Sequence, residues 1–186
     1  AVADPYRWLE DASDPDTKEW LAAQETLFAE DAAAFRGRDR FRRRVGELYR
    51  TGIVGPPSWH GERAFFMRQD ARQEHMVLHV AEPGGAERVL LDPHVLDPSG
   101  ATVIDSWQPS ADGSLLAYQV STGGTEESSL YVLDVATGEV VDGPIGRTRY
   151  SPVAWLADGG AFYYVRRHDG GKAVHLHRVG ADPERL

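Results

Sequence analysis

The chain contains no cysteine in 186 residues. That excludes a disulfide framework and thiolate chemistry, and it leaves a reducing compartment open. Basic charge is also short, because 20 Lys and Arg face 29 Asp and Glu for a net charge of −9. Such a field repels phosphate, so neither nucleic acid nor an anionic membrane is expected as a partner. No apolar run approaches the roughly 20 residues that cross a bilayer, and no basic segment followed by an apolar stretch opens the chain. A cytoplasmic protein is expected, with periplasmic or secreted settings left open. Chemical signatures are scarce too. There is no Gly-x-Ser-x-Gly elbow for a nucleophilic serine, no Gly-x-Gly-x-x-Gly or Walker-type phosphate loop, and no acidic spacing of a calcium loop. We therefore expect no catalytic residue, no metal and no cofactor within these residues.

What is present is a repeat. Trp107 to Tyr118 places Asp112-Gly113 directly before the apolar run Leu115-Leu116-Ala117-Tyr118. Asp158-Gly159 precedes Ala161 to Val165 in the same way, and Gly61 precedes Ala64 to Met67. The turn glycines at 61, 113 and 159 are 52 and 46 residues apart, close to the period of about 40 to 50 residues that marks propeller blades. Candidate strands are 64–68, 75–81, 88–91, 103–107, 115–120, 130–135, 139–141, 153–155, 161–166 and 174–179, joined by Gly-, Asp- and Pro-rich turns. Short strands at regular spacing without intervening helices predict antiparallel sheets. Only about three such sheets fit, fewer than the roughly four to eight blades that close a propeller.

The first quarter follows another period. Asp4 to Asp11 is too irregular for a helix and is expected as an extended arm pinned by Tyr6, Trp8 and Leu9. Asp14 as N-cap with Pro15 at the first helical position predicts a helix reaching about Phe35. Its tracks Trp20, Leu27, Ala34 and Leu21, Phe28, Phe35 make one face wide enough to bury. A second helix is expected over 38–49, with Phe41, Val45, Leu48 and Tyr49 on one side and arginines on the other. Six arginines fall between Arg36 and Arg44, and the acidic balance of the chain favours a solvated face over a phosphate-binding one. Gly55-Pro56-Pro57 cannot lie inside a helix. The expected fold class is thus mainly β, an unclosed β-propeller of about three four-stranded blades preceded by an N-terminal arm and two α-helices, with segments 1–52 and 58–186.

Side chains that could carry chemistry are few. His75 and His79 on one strand would stand about 13 Å apart, too far for one metal. His175 and His177 share a strand face without a third ligand, and exposed strand histidines are the simpler reading. Glu126-Glu127 at a Gly-rich hairpin suggests either an anionic clamp, for a cationic peptide end or for a facing arginine, or a solvated tip.

The arm Asp4-Pro5-Tyr6-Arg7-Trp8-Leu9-Glu10-Asp11 resembles the N-terminal signature of the prolyl oligopeptidase family of serine peptidases. Trp20-Leu21-Ala22-Ala23-Gln24, Leu91-Asp92-Pro93, Trp107 to Tyr118, Gly123 to Glu126, Leu130 to Asp134, Val153 to Gly159 and His177 to Pro183 are similar to that family in order and spacing. The resemblance implies a seven-bladed propeller joined to an α/β-hydrolase domain that cleaves short peptides after proline, with the propeller gating access. The catalytic Ser, Asp and His of the family match no position here. By resemblance Tyr150 takes the place of an aromatic near the substrate pocket, Glu126 that of an acid at the boundary with the hydrolase domain, and Trp8 belongs to the arm that packs on that domain. Asp105 stands where some members carry an Arg. The expected partners are a short peptide substrate and the C-terminal hydrolase domain. The rival reading is a non-catalytic propeller that binds a peptide or protein through its loops.

Overall fold

The computed structural model describes residues 4–183; the outer ends of the two expected segments, residues 1–3 and 184–186, lie outside the described residues. The chain divides into two compact units, Ala1–Tyr49 and Arg50–Leu186.

In the first unit the arm is not extended. Arg7–Glu10 form a 3-10 helix, because Asp4 accepts the Tyr6 amide and the Tyr6 carbonyl accepts the Leu9 amide, so the segment pairs its polar groups locally. Helix α1 spans Pro15–Ala34, and the Asp14 carboxylate accepts the amides of Asp16 and Thr17. This is the expected cap, which satisfies two of the amide groups a helix start leaves free. Helix α2 spans Arg38–Tyr49 as predicted. The face of α1 that is wide enough to bury is uncovered in this chain. Trp20, Leu21, Leu27, Phe28 and Phe35 are all exposed, as are Phe41, Val45, Leu48 and Tyr49 of α2. The unit supplies little to cover these faces. Trp8 meets Trp20 edge-on at 6.3 Å, and Phe35 stacks with Phe41 at 6.3 Å. Thr17 is buried, its hydroxyl donating to the Trp8 carbonyl at 3.0 Å.

The second unit is three antiparallel sheets. The first contains β1 (Ile53–Val54), β2 (Ser58–His60), β3 (Arg63–Gln69), β4 (Val77–Ala81) and β5 (Glu87–Leu91). It has five strands rather than four because β1 and β2 both pair with β3. Gly55-Pro56-Pro57 separates those two pieces, since proline cannot donate to a ladder. A single turn of helix, α3 (Pro93–Leu96), follows, capped by Asp92. The second sheet has the order β6 (Thr102–Pro109), β7 (Leu115–Thr122), β8 (Ser129–Asp134), β9 (Val140–Ile145). The third has β10 (Val153–Trp155), β11 (Ala161–His168) and β12 (Gly171–Arg178).

Burial on both faces explains why the central strands are apolar runs rather than alternations. Leu116, Tyr118, Leu133 and Val135 of the second sheet pack on Phe65, Leu78, Val80, Leu90 and Leu91 of the first. Ala117, Leu130, Val132 and Ile145 pack on Phe162 and Tyr164 of the third. Residues 116, 117 and 118 thus alternate between two cores, one on each side of the sheet.

The repeated turns meet back to back. Gly61, Gly113 and Gly159 have φ of 56°, 70° and 69°, the left-handed region that favours glycine. A methyl group on Gly61 would lie 2.4 Å from the Asp112 carbonyl oxygen, and one on Gly113 would lie 2.5 Å from that of His60. Gly61 and Gly113 are therefore required for conformation and for clearance together, whereas Gly159, whose nearest neighbour would be the Ser110 Cβ at 3.8 Å, is required for conformation alone.

Polar ties cross between sheets beside the cores. Glu82 accepts from Arg63 at 2.7 Å and from Arg88 at 2.7 Å, while Arg63 also donates to the Gly113 carbonyl at 3.1 Å and Arg88 to that of Val135. Between the second and third sheets, buried Asp142 and His177 meet at 2.7 Å, and the same carboxylate accepts the Gly180 amide at 2.7 Å. Trp155 donates its indole N–H to the Gln108 carbonyl at 2.9 Å.

Candidate functional site

The hairpin after β7 and the connection from β9 to β10 come together at one end of the second and third sheets. Two features of the chain hold them. Thr148, fully buried, donates its amide and hydroxyl to the Ser128 carbonyl at 3.3 and 2.9 Å. Gln119, buried on β7, donates to the Ser106 hydroxyl at 2.7 Å and to the Ser151 carbonyl at 2.7 Å. Above these ties lies a hollow of about 410 Å³ lined by Asp105, Ser106, Gln119, Glu126, Ser128, Tyr150, Ser151 and Pro152.

Glu126 and Tyr150, 24 residues apart, meet directly. The Tyr150 hydroxyl donates to the Glu126 carboxylate at 2.6 Å, and Arg149 pairs with the same oxygen. Those bonds, the tyrosine's first and the arginine's second, hold the Glu126 carboxyl below its usual range. Arg149 also lies over the Tyr150 ring, 5.1 Å from its centroid. Glu126 and Tyr150 have φ of 57° and 54°. Left-handed backbone at a non-glycine residue costs about 1–3 kcal/mol and concentrates at functional sites. Tyr150 is nonetheless 69% exposed, so its ring is available to a ligand. Of the two readings of Glu126-Glu127, the acids face arginines across the loop pair: Glu127 meets Arg167 at 3.3 Å.

Asp105 enters the hollow through a bulge. In the β6–β7 ladder Ile104 pairs with Val120 and Ser106 with Gln119, which leaves Asp105 as an extra residue. A bulge of this kind re-aims a side chain. Its carboxylate accepts the Ser121 hydroxyl at 3.0 Å and the Ser128 hydroxyl at 2.6 Å. Gln119, Ser128 and Ser151 line the hollow although the sequence does not single them out as site residues. Gln119 had a signal, since a lone amide inside Leu115 to Val120 must find partners when buried. Trp8 belongs to the other unit, where its ring packs on Trp20.

The histidines depart from expectation. His75 precedes β4 instead of lying on it, because the turn at Asp70 to Glu74 closes on itself through the Gln73 side chain. His75 bonds the Gly100 carbonyl at 2.7 Å, and His79 stacks on Phe66 at 5.5 Å, where burial lowers its pKa. His175 and His177 do share β12, yet they are not both exposed: His177 is buried against Asp142, and His175 meets His168 at 2.8 Å. Among the described residues no three His, Asp or Glu side chains converge as a metal site would need. No helix among them is long and apolar enough to cross a membrane.

Comparison with known proteins gives these features a family. The family model described as the prolyl oligopeptidase N-terminal β-propeller domain matches residues 1–185. The chain is 32% identical over 190 residues to a prolyl endopeptidase of Elizabethkingia meningoseptica, covering 96% of this chain and 27% of that protein. It is 25% identical over 219 residues to a dual function macrocyclase-peptidase of Galerina marginata, covering 98% of this chain and 29% of that one. A solved structure from a study of two prolyl endopeptidases superposes with a TM-score of 0.91 at 32% identity, over 99% of this chain and 29% of that one. The chain thus spans less than a third of the length of these relatives. The match over nearly every residue, together with the three stacked sheets, places this chain in the prolyl oligopeptidase family, in its N-terminal propeller region.

Proposed function

We propose that this chain is the N-terminal part of a serine peptidase that hydrolyses short peptides after proline, and that the Glu126–Tyr150 hollow faces the peptide. One observation supports this above the others: Tyr150 is held in left-handed backbone, bonded to Glu126, yet leaves most of its ring open beside a hollow, within a chain that matches the family from end to end. The exposed ring and the Pro152 side of the hollow suit the apolar body of a proline-containing peptide. Acyl transfer would fall to a Ser, Asp and His supplied by a hydrolase domain, since this chain has no Gly-x-Ser-x-Gly elbow. Trp8 and the exposed apolar faces of α1 and α2 fit the role of a surface covered by that domain, because apolar patches of this extent mark contact sites. In this reading the propeller, with Glu126 at its boundary, filters substrates by access.

The test is an assay of the protein as its gene encodes it on a proline-containing fluorogenic peptide. Turnover abolished by a serine-directed phosphonate is expected, with Tyr150→Ala raising KM by about tenfold, the scale of one lost aromatic contact. Absence of phosphonate-sensitive turnover would sink the reading and favour the non-catalytic propeller.

A further inference from the structure

We propose that Asp105 makes the Tyr150 hollow a site for a cationic amine, so that the preferred peptides carry an ammonium group where they lie against this propeller. The proposal rests on the reading of the hollow as substrate-facing. Two carboxylates line it, and they are in different states. Glu126 is matched by Arg149 and by the Tyr150 hydroxyl. Asp105 receives two hydroxyls, from Ser121 and Ser128, which supply hydrogen bonds but no charge. No ion pair to Asp105 forms among the described residues. A carboxylate can accept about four hydrogen bonds, and Asp105 uses one on each oxygen, so acceptor capacity remains. The two serines hold the carboxylate in one orientation, and the bulge in β6 delivers it to the hollow. Tyr150 lines the same hollow, with Arg149 already over its ring, so the ring adds apolar surface beside the carboxylate. The hollow therefore offers one unmatched negative charge, fixed in place, beside an aromatic surface. A lysine side chain or a peptide's own N-terminus carries the complementary group.

The experiment uses the protein as its gene encodes it and four peptides that share one scissile Pro bond. Three are N-acetylated with Lys, norleucine or Glu at the position under test, and the fourth is the norleucine peptide with a free N-terminus. Wild type is expected to favour the Lys peptide, the free-amine peptide or both over acetylated norleucine by about tenfold in kcat/KM, and to disfavour Glu, on the scale of one partly exposed charge-assisted contact. Which of the two gains identifies the source of the ammonium. The preference should shrink at 1 M salt, where the screening length falls to about 3 Å. In Asp105→Asn the ratio should fall towards one, and Asp105→Lys should favour Glu. Those ratios are internal to each protein, so a loss of folded material does not mimic them. Equal turnover of all four peptides by wild type, or a preference that survives in Asp105→Asn, overturns the inference while the proposed activity stands. No turnover of any peptide overturns the activity first and the inference with it.

Discussion

Single residues in this chain do two jobs where repeats meet. Gly113 has a left-handed φ of 70° and has the His60 carbonyl where a methyl group would go, whereas Gly138, with φ of 77°, has nothing within 4 Å. The left-handed conformation alone costs a side chain about 1–2 kcal/mol. Gly138→Ala should therefore lower stability by about that amount, and Gly113→Ala by more, because the backbone of a neighbouring sheet has to move. Urea unfolding of both variants checks this; equal losses would show that the close approach carries no energy. The same scale separates what a sequence can announce from what it cannot. Asp-Gly before an apolar run announces a turn, but not that two such turns lie against each other. Tyr150 could be picked out only through likeness to a family, since it has no local pattern that marks it, whereas Glu126 belongs to an acidic pair at a Gly-rich hairpin. Their contact, formed across 24 residues, had no sequence signal.

Between elements, buried apolar area sets the stacking of sheets and the polar ties fix its register. Glu82 is the clearest tie, joining Arg63 and Arg88, which reach carbonyls of the next sheet. The Arg63 hydrogen bond, followed by that of Arg88, holds the Glu82 carboxyl below its ordinary 4.5. A depressed folded pKa gives stability that is present above the unfolded value and lost as pH falls through the folded one. Glu82→Gln should therefore destabilise the chain at neutral pH, and the gap to wild type should close as pH drops below 4.5. A gap that stays constant with pH would mean the tie is not electrostatic. The central strands β7 and β8 were legible because burial on both faces makes them nearly continuous apolar runs. The two-residue β1, set between Gly52 and Gly55, has too few side chains to show any period. The single turn α3 was hidden because Asp92-Pro93 reads equally as a turn and as a capped helix start. The bulge at Asp105 depends on how β6 pairs with β7, so it becomes visible only when both strands are placed.

At the scale of the whole molecule, the third sheet ends in an open strand. Among the described residues β12 pairs only with β11, and Tyr163, Val174 and Leu176 are exposed on the side away from the second sheet. Trp59, Ile53 and Val54 are likewise exposed on the first sheet. An open, apolar edge invites pairing with another chain. The 186-residue chain should therefore associate, its mass by light scattering rising with concentration, and Val174→Lys with Leu176→Lys should reduce that rise. A mass that stays monomeric at all concentrations would contradict this. The glycine contacts bear on the same stacking from within. A carbon atom at position 61 would push its neighbour from 2.4 Å to an ordinary contact of at least 3.4 Å. That shim of about 1 Å would sit at one end of the sheet pair, while the packed cores hold the middle. The two sheets would splay like pages wedged at one corner, and in a ring every later blade would inherit the error.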